Sequence, residues 1–328
     1  MTDSSLDRFP RVSLAHLPTP LEPLPGLGTE VGAELFAKRD DCTGLALGGN
    51  KVRKLEYLLG AARAEGAELV ITVGGVQSNH ARQTAAAAAR LGMRCQLVLP
   101  RVVPKRDAEY ENSGNVLLDR LFGAEVLVVD DESAAAETIA RLLHDAEEAG
   151  IHAVAYPPGG STAIGCLGYV RAALELAEQI RGSAGFAHLY AAVGSGGTVA
   201  GLSCGLAAAG LEIPVTAVSV AKPSETMARD VEALQSEVQN LLPGIGAVPI
   251  TWRDEFLGPG YGIMTAEGRE AIQLAATREG LLLDPVYTGK CMAALVADAR
   301  AGALTGPALF WHTGGAPGLF GYRGDLGG

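Results

Sequence analysis

Short apolar runs alternate along nearly the whole chain with longer segments whose apolar residues fall three and four positions apart. Such alternation leaves few topologies open, because each run reads as a parallel strand and each longer segment as the helix that crosses over to the next strand. Strands are expected at residues 34–38, 69–73, 95–99, 125–129, 152–156, 187–193, 215–220 and 308–312. Helices are expected between them, among others at 51–65, 133–149, 162–181, 265–279 and 288–300. The fold class is therefore α/β. A chain of 328 residues exceeds the roughly 250 to 300 that one core usually holds, so two lobes with a cleft between them are expected. The clusters PPGGS (157–161) and GPGYG (258–262) read as turns or hinge loops. A smaller lobe, residues 51–159, is then inserted into a larger one made of 1–50 and 160–328.

Charge and composition remove several classes of function. The formal net charge is −11 and no run of Lys and Arg could neutralise successive phosphates, so no nucleic-acid partner is expected. Apolar stretches such as 84–89 fall far short of the roughly 20 residues that span a bilayer, so no membrane partner is expected either. The start, MTDSSLDRFPRVSL, lacks a basic segment followed by an apolar one and does not read as a secretory leader; a cytoplasmic location is expected. Cys42, Cys95, Cys166, Cys204 and Cys291 show no CxxC or CxxH spacing, so neither disulfides nor a metal site is expected.

Only six lysines occur, and Lys51 is the one in an unusual setting. In GGNKVRK (48–54) two glycines and an asparagine precede a helical pattern, which puts its amine at the positive end of a helix dipole and favours the uncharged, nucleophilic form. The plain alternative is a turn and N-cap followed by two solvated basic residues. GSGGT (194–198) follows a strand and opens a helix, offering free N–H groups and the Thr198 hydroxyl to an anion such as phosphate. Its spacing matches neither a dinucleotide nor a nucleoside triphosphate loop. GGVQSNHARQT (74–84) has the same layout: Ser78 or Asn79 could be an ordinary N-cap, or the segment could bind a carboxylate, while His80 reads as packed or solvated. Tyr287 in DPVYTGK could stack on a flat ring, and Thr313 in WHTGGAPGLFGY could hydrogen-bond a ring nitrogen; both residue types are also commonly structural.

Taken together, RFPR (8–11), PTPLE (18–22), KRDD (38–41), GGNKVRKLE, QSNHARQTAA, GSGGT, PGYG, LLDPVYTGK and HTGGAP resemble, in the same order, the fold type II pyridoxal-phosphate enzymes. Within them the chain resembles the group that contains D-cysteine desulfhydrase and 1-aminocyclopropane-1-carboxylate deaminase. The resemblance spans nearly the whole chain. It implies two open, mostly parallel sheets with helices on both faces, pyridoxal 5'-phosphate as cofactor, a small amino acid as substrate and a homodimer. By it, Lys51 is the Schiff-base lysine, and Lys54 with the backbone of Gly194, Ser195, Gly196, Gly197 and Thr198 holds the phosphate. Asn79 would lie beside the ring. Ser78, with the neighbouring N–H groups of Asn79 and His80, would receive the substrate carboxylate, and Tyr287 and Tyr261 would flank the reacting carbon.

Two positions separate the subgroups. The cyclopropane-opening deaminases resemble this chain but carry Glu and Leu where it has Thr288 and Thr313. Hydroxyls near the ring nitrogen imply a weaker electron sink than a carboxylate would, which suits a reaction with a good leaving group. The resemblance therefore implies a β-eliminating lyase that releases sulfide from D-cysteine, with L-cysteate sulfo-lyase and the cyclopropane deaminase as rivals. A non-catalytic nucleotide or anion binder on a doubly wound sheet would have no need of Lys51.

Overall fold

The computed structural model describes residues 5–327. The first four residues of the N-terminal segment considered above, and Gly328, lie outside the described residues.

Strand β1 (Leu21–Pro23), helix α1 (Pro25–Val31) and β2 (Leu35–Arg39) lead into α2 (Lys51–Ala64). There follow β3 (Leu69–Val73), α3 (Asn79–Leu91), β4 (Arg94–Pro100), α4 (Ala108–Asn112), α5 (Gly114–Leu121), β5 (Glu125–Val129), α6 (Glu132–Glu148) and β6 (Ala153–Tyr156). The chain continues through α7 (Ala163–Gln179), β7 (His188–Val193), α8 (Gly197–Ala208), β8 (Val215–Ser219), α9 (Ser224–Leu241) and β9 (Ile250–Arg253). It ends with α10 (Ala266–Glu279), α11 (Thr288–Arg300), β10 (Ala308–His312) and α12 (Arg323–Leu326).

The strands form two sheets, one of order β1-β2-β10-β7-β8-β9 and one of order β5-β4-β3-β6. Every pairing is parallel except β1 with β2. All eight expected strands are present; the two that sequence patterning missed, β1 and β9, are edge strands of three and four residues. Their sequences, LEP and ITWR, hold too few apolar residues to read as a run.

Side chains alternate across each sheet, and both faces are covered. In β7, Leu189, Ala191 and Val193 pack with α7, α8 and α9, while Tyr190 and Ala192 pack with α1, α10 and α11. In β3, Leu69 and Ile71 meet α6 whereas Val70 meets α2. Burial on both faces explains why these strands read as continuous apolar runs.

Helix α2 sits where the two sheets meet. Its Val52, Leu55, Leu58 and Leu59 pack towards the smaller sheet, and its backbone lies on α7 so closely that a Cβ at Gly168 would stand 2.2 Å from the carbonyl oxygen of Arg53. Charge locks this contact. Arg53, 1% exposed, donates from Nε to both Asp40 oxygens at 3.0 Å, and from Nη1 and Nη2 to Glu175 of α7 at 2.9 Å. Asp40 also accepts from Tyr169 Oη at 2.6 Å and from Trp311 Nε1 at 2.8 Å. Lys38 of β2 donates to Thr19, Glu175 and Gln179. The network ties β2, α2, α7 and β10 together with each buried charge answered by an opposite one.

Burial alone would raise the carboxyls of Asp40 and Glu175, but Arg53, with Tyr169 at Asp40 and Lys38 at Glu175, holds both below their usual values of 3.8 and 4.5. Depressed folded values mean that the stability these groups add is complete above about pH 5 and is lost as pH falls through them. Asp40→Ala leaves the guanidinium with one carboxylate instead of two and is expected to cost about 3–5 kcal/mol. The cost is read as a lower urea midpoint at unchanged slope near pH 7, with a smaller difference from the parent in acid.

Candidate active site

A cleft of about 910 Å³ opens between the two sheets, at the carboxyl ends of β3 and β7. In open α/β sheets the strand ends are where loops and helix N-termini converge, so ligands gather there. A shallower depression of about 620 Å³, near Arg8 and residues 242–246, is lined by no other charged side chain.

Lys51 opens α2 and faces this cleft. The turn before it needs glycine: Gly48 has φ +71°, and a Cβ there would stand 1.8 Å from the Asp41 carbonyl oxygen. Asn50, expected to cap α2, does not do so. Its backbone N–H donates to the Thr313 carbonyl at 3.0 Å and its side-chain amide donates to Thr198 Oγ1 at 3.0 Å, linking the lysine turn to the glycine loop. The Lys51 amine has no carboxylate or hydrogen-bond acceptor among the described residues. Burial, reinforced by the charge of Lys54, pulls its pKa well below 10.5. An amine so placed gives up its proton more easily than an ordinary lysine, which makes the free, nucleophilic form more accessible.

One turn later, Lys54 is fully buried and donates to the Gly159 carbonyl and to Ser161 Oγ, both at 3.1 Å. It too has no carboxylate partner, and burial lowers it to about 8. It stands over the N-terminus of α8, where Gly196 takes φ +84° and Gly197 donates to Ser161 Oγ at 3.2 Å. Ser161 Oγ and Ser195 Oγ are 2.8 Å apart. A Cβ at Gly197 would lie 2.7 Å from Lys54 Nζ and from Ser161 Oγ. Lysine, two serines, Thr198 and a helix N-terminus thus surround a cup lacking any negative charge of its own, a setting made for an anion.

Ser78, Asn79 and His80 begin α3 on the opposite wall. Ser78 Oγ caps the helix, accepting from Ala81 N at 3.1 Å, and its hydroxyl proton stays available to the cleft. His80 is 2% exposed and bonded through Nε2 to Thr72 Oγ1 at 2.9 Å. Since Thr72 gives its own proton to the Tyr156 carbonyl at 3.0 Å, the ring must donate from Nε2, and burial lowers its pKa well below 6.5. His80 is therefore neutral.

Tyr261 and Tyr287 close the cleft with their hydroxyl oxygens 2.5 Å apart, the Tyr287 ring lying against Gly194. Burial raises both phenols, so both keep their protons near neutrality. Thr313 lines the cleft beside Lys51 and Asn50, and its hydroxyl has no partner among the described residues. Thr288 is placed differently from the cleft position that the resemblance implies. It is fully buried and not part of the cleft wall; its hydroxyl donates to Asp284 Oδ1 at 2.7 Å and accepts from Asp284 N at 2.7 Å. The Asp284 carboxylate also accepts from the backbone N–H groups of Val286, Tyr287 and Thr288, and this turn presents Tyr287.

Sequence patterning missed Asn50, Ser161 and Asp284 as parts of the site. Ser161 lay in the PPGGS cluster and read as loop punctuation. Asn50 read as a cap, and a single buried Asp beside Pro carries no signal of its own.

The sequence profile of the family described as pyridoxal-phosphate dependent enzyme matches residues 12–314. D-cysteine desulfhydrase of Klebsiella pneumoniae (strain 342) is 44% identical over 328 residues, covering 99% of this chain and 100% of its own. D-cysteine desulfhydrase of Salmonella paratyphi B (strain ATCC BAA-1250 / SPB7) is 42% identical over 323 residues, covering 97% and 98%. Among solved structures, an ACC deaminase homologue matches with a TM-score of 0.89 at 41% identity, over 99% of both chains. An L-serine ammonia-lyase from Rhizomucor miehei, 20% identical with a TM-score of 0.68 over 96% and 100%, shares the fold alone. A free lysine beside an anion cup in a two-sheet cleft agrees with a profile that runs through both, and the chain belongs to the pyridoxal-phosphate dependent enzymes.

Proposed function

We propose that this chain is a lyase that eliminates sulfide from D-cysteine, the three-carbon enamine that is left then taking up water to give pyruvate and ammonia. The observation that carries the reading is the Lys51 amine, unpaired among the described residues and easily deprotonated, next to a cup already holding a second buried lysine. Close identity over full length to proteins named D-cysteine desulfhydrase supports the choice of substrate.

The residues fit pyridoxal phosphate. Lys54 lacks a counter-charge, and the α8 N-terminus lies beneath it with Ser161, Ser195 and Thr198; together they would hold the phosphate. Of the lysines lining the cleft, Lys222 is paired with Asp230 at 2.9 Å, which leaves Lys51 to hold the aldehyde. When bound, the cofactor supplies that aldehyde for the substrate amine and a ring that accepts the electron pair left at Cα. Lys51 takes the Cα proton, for which its low pKa suits it. Ser78 and the N–H groups at the start of α3 receive the substrate carboxylate. The protonated Tyr261–Tyr287 pair flanks the reacting carbon and the departing sulfur. Thr313 gives the ring nitrogen a hydroxyl and no charge. Thr288 acts behind it by holding Asp284 and, through it, Tyr287.

Localisation in the cytoplasm and a homodimeric state belong to the same proposal. No helix among the described residues is long and apolar enough to cross a membrane, and all five cysteines are free. Leu47, Leu117, Leu121, Leu282 and Phe320 stand exposed, in keeping with a second copy packing on part of this surface. The lobes are taken as 1–50 with 160–328, and 51–159.

Offered D-cysteine, L-cysteine, β-chloro-D-alanine, L-cysteate and 1-aminocyclopropane-1-carboxylate in turn, the enzyme is expected to form pyruvate and sulfide fastest from D-cysteine. Sulfite from L-cysteate as the main product would select the sulfo-lyase instead, and 2-oxobutyrate from the cyclopropane substrate alone would reject the roles given to Thr288 and Thr313. Lys51→Ala is expected to abolish borohydride-fixable cofactor and to lower turnover by roughly 10³-fold or more. Because Lys54 loses its proton as pH rises through about 8, inorganic phosphate should bind the cofactor-free protein roughly fivefold more weakly at pH 9 than at pH 8. Calorimetric titration reads this step, and Lys54→Met should remove it.

A further inference from the structure

We infer that Arg82 is a positioning residue of this site: with Asn115 it turns the Asn79 side chain so that the N–H₂ group, and not the oxygen, faces the cleft. The inference rests on the proposed cofactor reading, in which Asn79 lies beside the ring.

Arg82 lies on α3 and is fully buried, yet no carboxylate among the described residues comes within ion-pair distance of it. Its donors go elsewhere. Nη1 donates to Asn79 Oδ1 at 3.1 Å and to Asn115 Oδ1 at 2.8 Å, and Nη2 donates to the Gly48 carbonyl at 2.7 Å. Asn115 Nδ2 donates to the same Asn79 oxygen at 3.0 Å and to the Gln77 carbonyl at 3.0 Å. The Asn79 oxygen thus takes two N–H donors from the protein side, one of them cationic, while Asn79 itself lines the cleft. An amide is planar, so fixing its oxygen inward sends its two N–H bonds outward. The bond to Gly48 extends the same guanidinium to the turn that aims Lys51.

Desolvating a guanidinium is costly, and donors that merely filled space would be cheaper as apolar groups. Asp119 of α5 and Asp284, which precedes α11, are the acidic groups that act on Arg82, and they oppose the burial that lowers it to about 10. Arg82 therefore keeps its charge near neutrality. A flipped Asn79 amide would set its N–H₂ group against the donors of Arg82 and Asn115 and lose both hydrogen bonds. The orientation presents a donor to an anionic oxygen on a bound ring, which favours the ionised ring hydroxyl over the neutral one.

The test uses the holoenzyme and reads the balance between its visible absorption band, from the ionised ring oxygen, and its near-ultraviolet band, from the neutral one. Asn79→Ala and Arg82→Gln are each expected to move this balance towards the near-ultraviolet by about tenfold, the equivalent of one hydrogen bond to a charged group. Combined, they should go no further than Asn79→Ala alone. A lowered melting temperature with unchanged bands in Arg82→Gln, while Asn79→Ala shifts them, overturns the role of Arg82 only. Unchanged bands in Asn79→Ala overturn the placement of Asn79 beside the ring and the inference with it. Should Arg82→Gln fail to fold, Asn115→Ala removes the other donor to the same oxygen; a smaller shift in the same direction supports the inference, and no shift overturns it.

Discussion

The buried guanidinium of Arg53, shared between the carboxylates of Asp40 and Glu175, fixes the helix on which the chemistry of this protein depends. Arg53 lies two residues after Lys51 and one before Lys54, so α2 turns Arg53 into a neutralised network while Lys51 faces the cleft and Lys54 reaches Gly159 and Ser161 beside it. Because α7 packs on α2 and also on α8, the same brace holds the phosphate cup in register with both lysines.

The contrast between the two sides of α2 is the physical basis of the site. On one side two cations, Arg53 and Lys38, and two carboxylates, Asp40 and Glu175, cancel, and the carboxyls there stay ionised at lower pH than usual. On the other, two amines stand without counter-charges, and burial makes each easier to deprotonate. Desolvation without a partner is unfavourable for the protein alone. On the proposed reading a dianionic phosphate would reverse that balance at Lys54, while Lys51 would remain an amine able to attack and to take a proton.

Much of the architecture was legible because it is written in local patterns. The eight expected strands are apolar runs, and the start of α2 at Lys51, of α3 at Asn79 and of α11 at Thr288 follow Gly, Ser or Pro punctuation that local sterics enforce. The glycine loop at 194–198 was recognisable for the same reason. Strands β1 and β9 were not, since LEP and ITWR hold too few apolar residues to form a run. Ser161 and Asn50 escaped notice because their significance lies in partners 34 and 148 positions away. Thr288 shows the converse: its neighbour Tyr287 faces the cleft, but the first turn of a helix sends the next side chain in another direction, towards Asp284.

The order of residues by itself determined the alternating α/β plan, the glycine turns and the helix-start position of Lys51, because each depends on contacts within a few residues. Only the tertiary structure decided which charges are cancelled and which are left bare. Arg53 meets Glu175 from 122 positions away, whereas Lys54 meets no carboxylate among the described residues. Electrostatic energy depends on distance and desolvation in space, and neither can be read along the chain.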